Sequence, residues 1–151
     1  MTEPIFRAVR NDDPRVAEAN RQAASSISEF QALMRQYPEA FSLAKLRFRD
    51  PDLSEQRGKD AFFYLWLSEV SFQPSQNLFV GTFFEVPEGF EKYHAVGSRL
   101  AFEGEDVFDW MVNRDGYAYG AFSIRVHREG MSETEQEEYD GYMGIKSYAQ
   151  I

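Results

Sequence analysis

The apolar period of this chain changes at Pro38, and that change commits it to a mixed fold. Upstream, apolar residues fall at Val16, Ala19, Ala23, Ile27, Phe30, Met34 and Tyr37. This three-four spacing draws one buried stripe along a helix. Asp13 suits the N-cap and Pro14 the first helical position. Glu18, Arg21, Gln22, Ser25 and Glu29 form the opposite, solvated face. Pro38 cannot continue a helix. Beyond it, Ala44, Leu46 and Phe48 alternate with Lys45, Arg47 and Arg49, the period of a half-buried strand. The expectation is one long N-terminal helix followed by a sheet.

The rest of the chain reads mostly as strands. "DPDLSEQRGKD" is a polar loop, and the nearly all-apolar "AFFYLWL" is a central second strand. "PSQN" is a turn into a third strand, "LFVGTFFEV", where Gly81 marks a bulge or a close backbone approach. Pro87 closes that strand, residues 88–96 form a loop with Gly89 as a turn residue, and "SRLAF" is a short fourth strand. "GEDVFDW" reads as a single helical turn, with Val107, Trp110 and Met111 on its apolar side. "NRDG" carries the Asp-Gly signal of a tight turn. "AYGAFSIRV" then alternates as a last strand, with Phe122, Ile124 and Val126 inward and Ser123, Arg125 and His127 outward. Ser132 and Glu135 form an S-x-x-E capping box that opens a final short helix, which Gly141 ends.

Length and composition bound what such a fold can be. At 151 residues the chain is expected to be a single domain over 1–151. A domain of this size buries roughly 68–70% of its unfolded surface and needs no staple. With no Cys, disulfides and thiolate metal sites are excluded. "MTEPIFRAVRNDDP" lacks the apolar core of a signal peptide, and no apolar run reaches the ~20 residues of a membrane span. The expected setting is the cytoplasm, with no membrane partner. The formal charge of −9 argues against nucleic acid, which needs a positive footprint, and suits a basic protein partner.

The sequence carries no P-loop, no G-x-G-x-x-G, no H-E-x-x-H and no G-x-S-x-G. No catalytic residue, cofactor or metal site is assigned. His94 lies in a polar loop, and His127 stands between Arg125 and Arg128, which disfavour its protonated form. Glu133, Glu135, Glu137 and Glu138 are acids that a helix N-terminus favours. Glu103, Glu105, Asp106 and Asp109 crowd around a Gly without the spacing of a calcium loop, and read as caps plus a salt bridge. The candidate ligand-binding residues are Lys45, Arg47 and Arg125, a cationic strip if the first and last strands are neighbours, with Asp109 and Trp110 beside it. The competing reading is that Arg125 pairs with Asp109 and latches the turn to the last strand.

In order along the chain, "AKLRF", "LWLSEV", "FVGTFFEVP", "DVFDWM" and "GAFSIRV" resemble the YegJ-like family of small uncharacterised bacterial proteins (domain of unknown function 2314). The likeness covers residues 43–147, with 1–42 as a helical extension outside it. Trp66, Gly81, Pro87, Gly97, Asp109, Trp110, Gly120 and Arg125 stand where that pattern expects them. Phe63 and Tyr64 replace its usual Glu-His pair, Glu85 its Asn, and Ser98 the Asp of its Gly-Asp pair. The resemblance therefore implies shared packing more than a shared reaction.

The expected architecture is α+β. The long N-terminal helix packs on a strongly curved antiparallel sheet of about five strands, closing part-way into a barrel, with a short C-terminal helix. The expected function is a non-enzymatic acidic protein-binding module, a bacterial immunity or inhibitor protein that neutralises a basic toxin or effector enzyme. One alternative is a small anionic-ligand binder using the Lys/Arg strip. Another is an enzyme using Glu103, Asp106, Asp109 and His94 in a cleft by Trp110.

Overall fold

The computed structural model describes residues 13–150. The N-terminal stretch read above as no leader lies largely outside the described residues.

The apolar stripe is real, but it is carried by two helices rather than one. Helix α1 spans Pro14–Ser25 and α2 spans Ile27–Gln36. Asp13 caps α1, its carboxylate accepting the Arg15 N–H at 2.9 Å. The break is at Ser26, with φ −118° and ψ 21°. Its hydroxyl donates to the Gln22 carbonyl at 2.7 Å and accepts from the Trp110 indole N–H at 3.0 Å. A side chain that competes for the i−4 carbonyl loosens a helix there. Here the indole on a distant strand holds the competing rotamer.

Strand β1 follows at Phe41–Arg49. The segment expected as a loop contains helix α3, Pro51–Arg57, capped by Asp50 onto the Leu53 N–H at 3.0 Å. Pro51 opens that helix and Gly58 closes it in the left-handed region. Strands β2 (Phe62–Gln73), β3 (Leu78–Phe83) and β4 (Arg99–Phe102) come next. Gly81 is a close approach, since a Cβ there would stand 3.0 Å from the Leu67 Cβ.

Residues 104–129 depart most from the expectation. Gly104–Asp106 is a 3-10 turn, but Val107–Arg114 is strand β5, not part of a helical turn. Asp115 and Gly116, both at positive φ, make the two-residue turn to β6, Tyr117–Gly120. The expected last strand is instead helix α4, Phe122–Glu129. Helix α5, Glu133–Met143, opens on the expected Ser132–Glu135 capping box. It runs through Gly141 and ends at Gly144, and β7, Ser147–Tyr148, follows.

Among the described residues the sheet has seven strands in the order β4-β3-β2-β1-β5-β6-β7, antiparallel except for β6–β7. It is open, with β4 and β7 as edges, so the part-closed barrel of about five strands is not formed. A closed barrel needs the first and last strands to pair; here β4 and β7 do not pair with each other.

The two faces of the sheet are buried under different helices. On one, α1 and α2 cover Ala44, Leu46, Phe79, Phe83, Trp110 and Val112. Phe30 of α2 is fully buried between Trp110, ring centroids 5.0 Å apart, and Phe79, at 5.6 Å. On the other, Tyr139 and Met143 of α5 pack with Leu43, Trp66 and Met111. Helix α4 feeds both, Phe122 into the first cluster and Ile124 into the second. Gly120 sets where α4 starts. With φ +74°, it lies so close to Trp110 that a Cβ would stand 2.5 Å from the Trp110 carbonyl oxygen.

Candidate functional site

Lys45 and Asp109 face each other in register across β1 and β5. Asp109 is completely buried. Its Oδ1 accepts the backbone N–H of Trp110 at 2.8 Å and of Phe122 at 3.1 Å. Its Oδ2 accepts the Ser123 N–H at 2.8 Å and the Ser123 hydroxyl at 2.5 Å. The Lys45 ammonium then donates to that hydroxyl at 2.9 Å. Burial pushes the Asp109 carboxyl up and the Lys45 amine down; the two charges, and for Asp109 the bonds from Ser123 and Trp110, pull back against those shifts.

This arrangement explains how α4 begins. Ala121, at φ 56°, precedes the helix and offers no side-chain cap. Asp109 supplies the cap from a neighbouring strand and places its charge at the positive helix end. Lys, Ser and Asp form one chain of bonds, in which the Ser123 hydroxyl accepts from Lys45 and donates to Asp109. The expected Asp109–Arg125 latch is not made. Because residues 122–129 are helical, Arg125 turns away from β5 and its Nε donates to the Gly120 carbonyl at 2.9 Å.

The cationic strip is likewise divided. Lys45 and Arg47 do share a strand face, but Arg125 sits on α4, not on a neighbouring strand. Lys45 is tied to Ser123. Arg47 is exposed and lies over the Phe62 ring at 4.2 Å and the Phe108 ring at 5.4 Å. Arg49 pairs with Asp60 at 3.0 Å. Trp110 is a core residue whose indole N–H reaches Ser26.

The acidic group does not converge. Glu103 and Asp106 close a capping box around the 3-10 turn, while Asp109 is interior. Among the described residues, no group of three His, Cys, Asp or Glu could hold a metal ion. His94 is packed against the rings of Phe83 and Phe90, with centroids at 4.6 and 5.1 Å.

The feature that sequence reasoning missed is a fork in the sheet. The β1–β2 ladder stops at Ala44↔Leu67. Past that point Phe41–Leu43 pair with β5 alone, and residues 71–73 pair with β3 alone. The β2–β3 register shifts between Ser68 and Ser71, around Glu69 at φ 50°. Between the diverging strands and the C-terminal end of α2 lies a cleft of about 670 Å³, lined by Met34, Arg35, Glu39, Phe41, Glu69 and Phe72 among others. Phe41 is 63% exposed on its wall. The polar pair Ser68-Glu69 ends the apolar run of β2 at the point where the register shifts.

Residues 13–147 match the model of a family described as an uncharacterized protein conserved in bacteria (DUF2314). The match takes in α1 and α2, so the N-terminal helical segment lies inside the family unit rather than extending it. No curated protein and no solved structure matches the chain.

Proposed function

The chain belongs to the uncharacterized bacterial family DUF2314, and we propose that it is a non-enzymatic acidic protein-binding module, an immunity or inhibitor protein that neutralises a basic toxin or effector enzyme in the cytoplasm. The fork between β1 and β2 is the observation that carries this reading. Among the described residues, each diverging strand keeps one side without a strand partner, and unpaired strand edges are templates for an added extended segment. The occupant proposed for the fork is an extended, basic segment of the partner. Its backbone would pair with the free edges. Its cations would meet Glu39 and Glu69 on a chain of net charge −9. Phe41 and Phe72 supply apolar contact beside them.

The test takes the purified chain and a basic enzyme encoded beside it, and follows association and enzyme inhibition across ionic strength. Binding that inhibits the enzyme and slows steeply with added salt supports the reading. Association indifferent to salt, or binding without inhibition, overturns it.

A further inference from the structure

The fork restricts how an added segment can run. β1 and β2 are antiparallel, so a strand laid between them is antiparallel to one and parallel to the other. β1 enters at the open end, at Phe41, and reaches the last shared rung at Ala44. β2 leaves that rung at Leu67 and reaches the open end at Gln73. The free edge of β1 continues from the rung without a break, whereas that of β2 lies beyond the register shift around Glu69. Antiparallel pairing is also slightly more stable per residue. Both favour a segment antiparallel to β1, and that direction puts its N-terminal end at the closed end of the fork.

The chemistry of the closed end agrees. The strands join at Ala44↔Leu67, so an extended segment cannot continue past that rung in the plane of the sheet. It ends there or turns away. Glu69 lies two residues beyond Leu67 and lines the cleft. It is exposed, and its carboxylate makes no hydrogen bond or ion pair with the described residues. Arg35 and Glu39, the other charged groups of the lining, flank the connection from α2 into the open end at Phe41. A carboxylate without a counter-charge therefore stands beside the last rung, and an α-ammonium group is the cation that a chain end brings to it.

We propose that the fork takes the free N-terminus of its partner, with the α-ammonium group at Glu69 and the chain running outward antiparallel to β1. This rests on the fork reading above and narrows its occupant from any extended basic segment to a chain end. The probes are Val-Lys-Val-Lys amide with a free amino terminus and N-acetylated Val-Lys-Val-Lys-Lys amide. The two carry equal charge at about pH 6.5, where an α-amino group is protonated. Binding is read from the amide resonances of residues 41–43 and 71–73, and orientation from nuclear Overhauser contacts between facing Hα atoms of the peptide and β1. The expected result is that the free peptide binds about tenfold tighter, shows antiparallel contacts to β1, and loses its advantage in Glu69→Gln. Equal binding of both peptides at the fork overturns the chain-end proposal and leaves the fork reading in place. A preference that survives Glu69→Gln, or a peptide lying parallel to β1, overturns it as well. No shift with either peptide at millimolar concentration also overturns it, and the fork reading is then decided by its own inhibition and salt test.

Discussion

Asp109 caps a helix that begins thirteen residues later in the chain, accepting the Ser123 N–H at 2.8 Å and the Ser123 hydroxyl at 2.5 Å. The strand and the helix are thereby joined through one buried carboxylate, with Lys45 at the far end of the bond chain.

Asp109→Ala removes the acceptor for three backbone N–H groups and one hydroxyl, and strands Lys45. Breaking a buried pair from one side costs about 3–5 kcal/mol. Urea unfolding should show a loss of that order. A loss below about 1 kcal/mol would mean that α4 finds its start without the carboxylate.

Lys45→Met should destabilise as well, by leaving the Asp109 charge with hydrogen bonds but no counter-ion. Combining it with Asp109→Asn removes both charges and should recover part of the loss. The resulting coupling energy should exceed about 1 kcal/mol, within the range of contacting residues. Simple additivity in the double-mutant cycle would show that the two charges do not sense each other.

Gly120→Ala forces a Cβ to within 2.5 Å of the Trp110 carbonyl at a φ of +74°. Neither the strand backbone nor the stacked indole can give way cheaply. The expected cost is above about 4 kcal/mol, in the exceptional class for single substitutions. Near-ultraviolet circular dichroism should lose the tryptophan signature, and a folded variant retaining it would contradict the packing described.

Tyr148 donates to Asp140 at 2.9 Å, and burial followed by that carboxylate raises its pKa well above the ordinary 10.0. A raised folded-state pKa contributes stability that is whole below the unfolded value and is lost as pH climbs toward the folded one. Melting temperature should therefore be insensitive to Tyr148 ionisation near neutrality and fall above about pH 10. Tyr148→Phe should flatten that alkaline fall relative to the parent. Identical alkaline slopes would remove Tyr148 from the account.

Glu39 and Glu69 are exposed on the fork. Reversing both to Lys should leave stability within about 1 kcal/mol. It should slow association with a basic partner and make that rate less dependent on salt. A rate that is unchanged would place the partner on another surface.

Much of the local structure is legible in the sequence. The stripe from Val16 to Tyr37 marks residues that all end up fully or partly buried. The Asp13-Pro14 start, the Ser132–Glu135 box and the Asp-Gly turn act through bonds between near neighbours, which a short window of sequence contains. The candidate ligand residues were legible only one strand at a time. Lys45 and Arg47 share a face because strands alternate, but nothing in the spacing says that Asp109 lies opposite Lys45.

Residues 107–129 mark the boundary between the two kinds of information. β5 is covered on both faces, so its apolar run carries no period that separates it from a helical turn. Phe122, Ile124 and Val126 alternate like a strand, yet form a helix. Gly120 permits the turn, and Asp109 accepts the first N–H groups. The fork and the break at Ser26 have the same origin, since one depends on where two strands part and the other on an indole N–H from β5. By itself the sequence determined which residues seek burial, where helices could be capped and how the chain is charged, because those properties belong to side chains and their close neighbours. Only the tertiary structure decided which buried polar group meets which, since a hydrogen-bonding partner distant in the chain has no periodic trace.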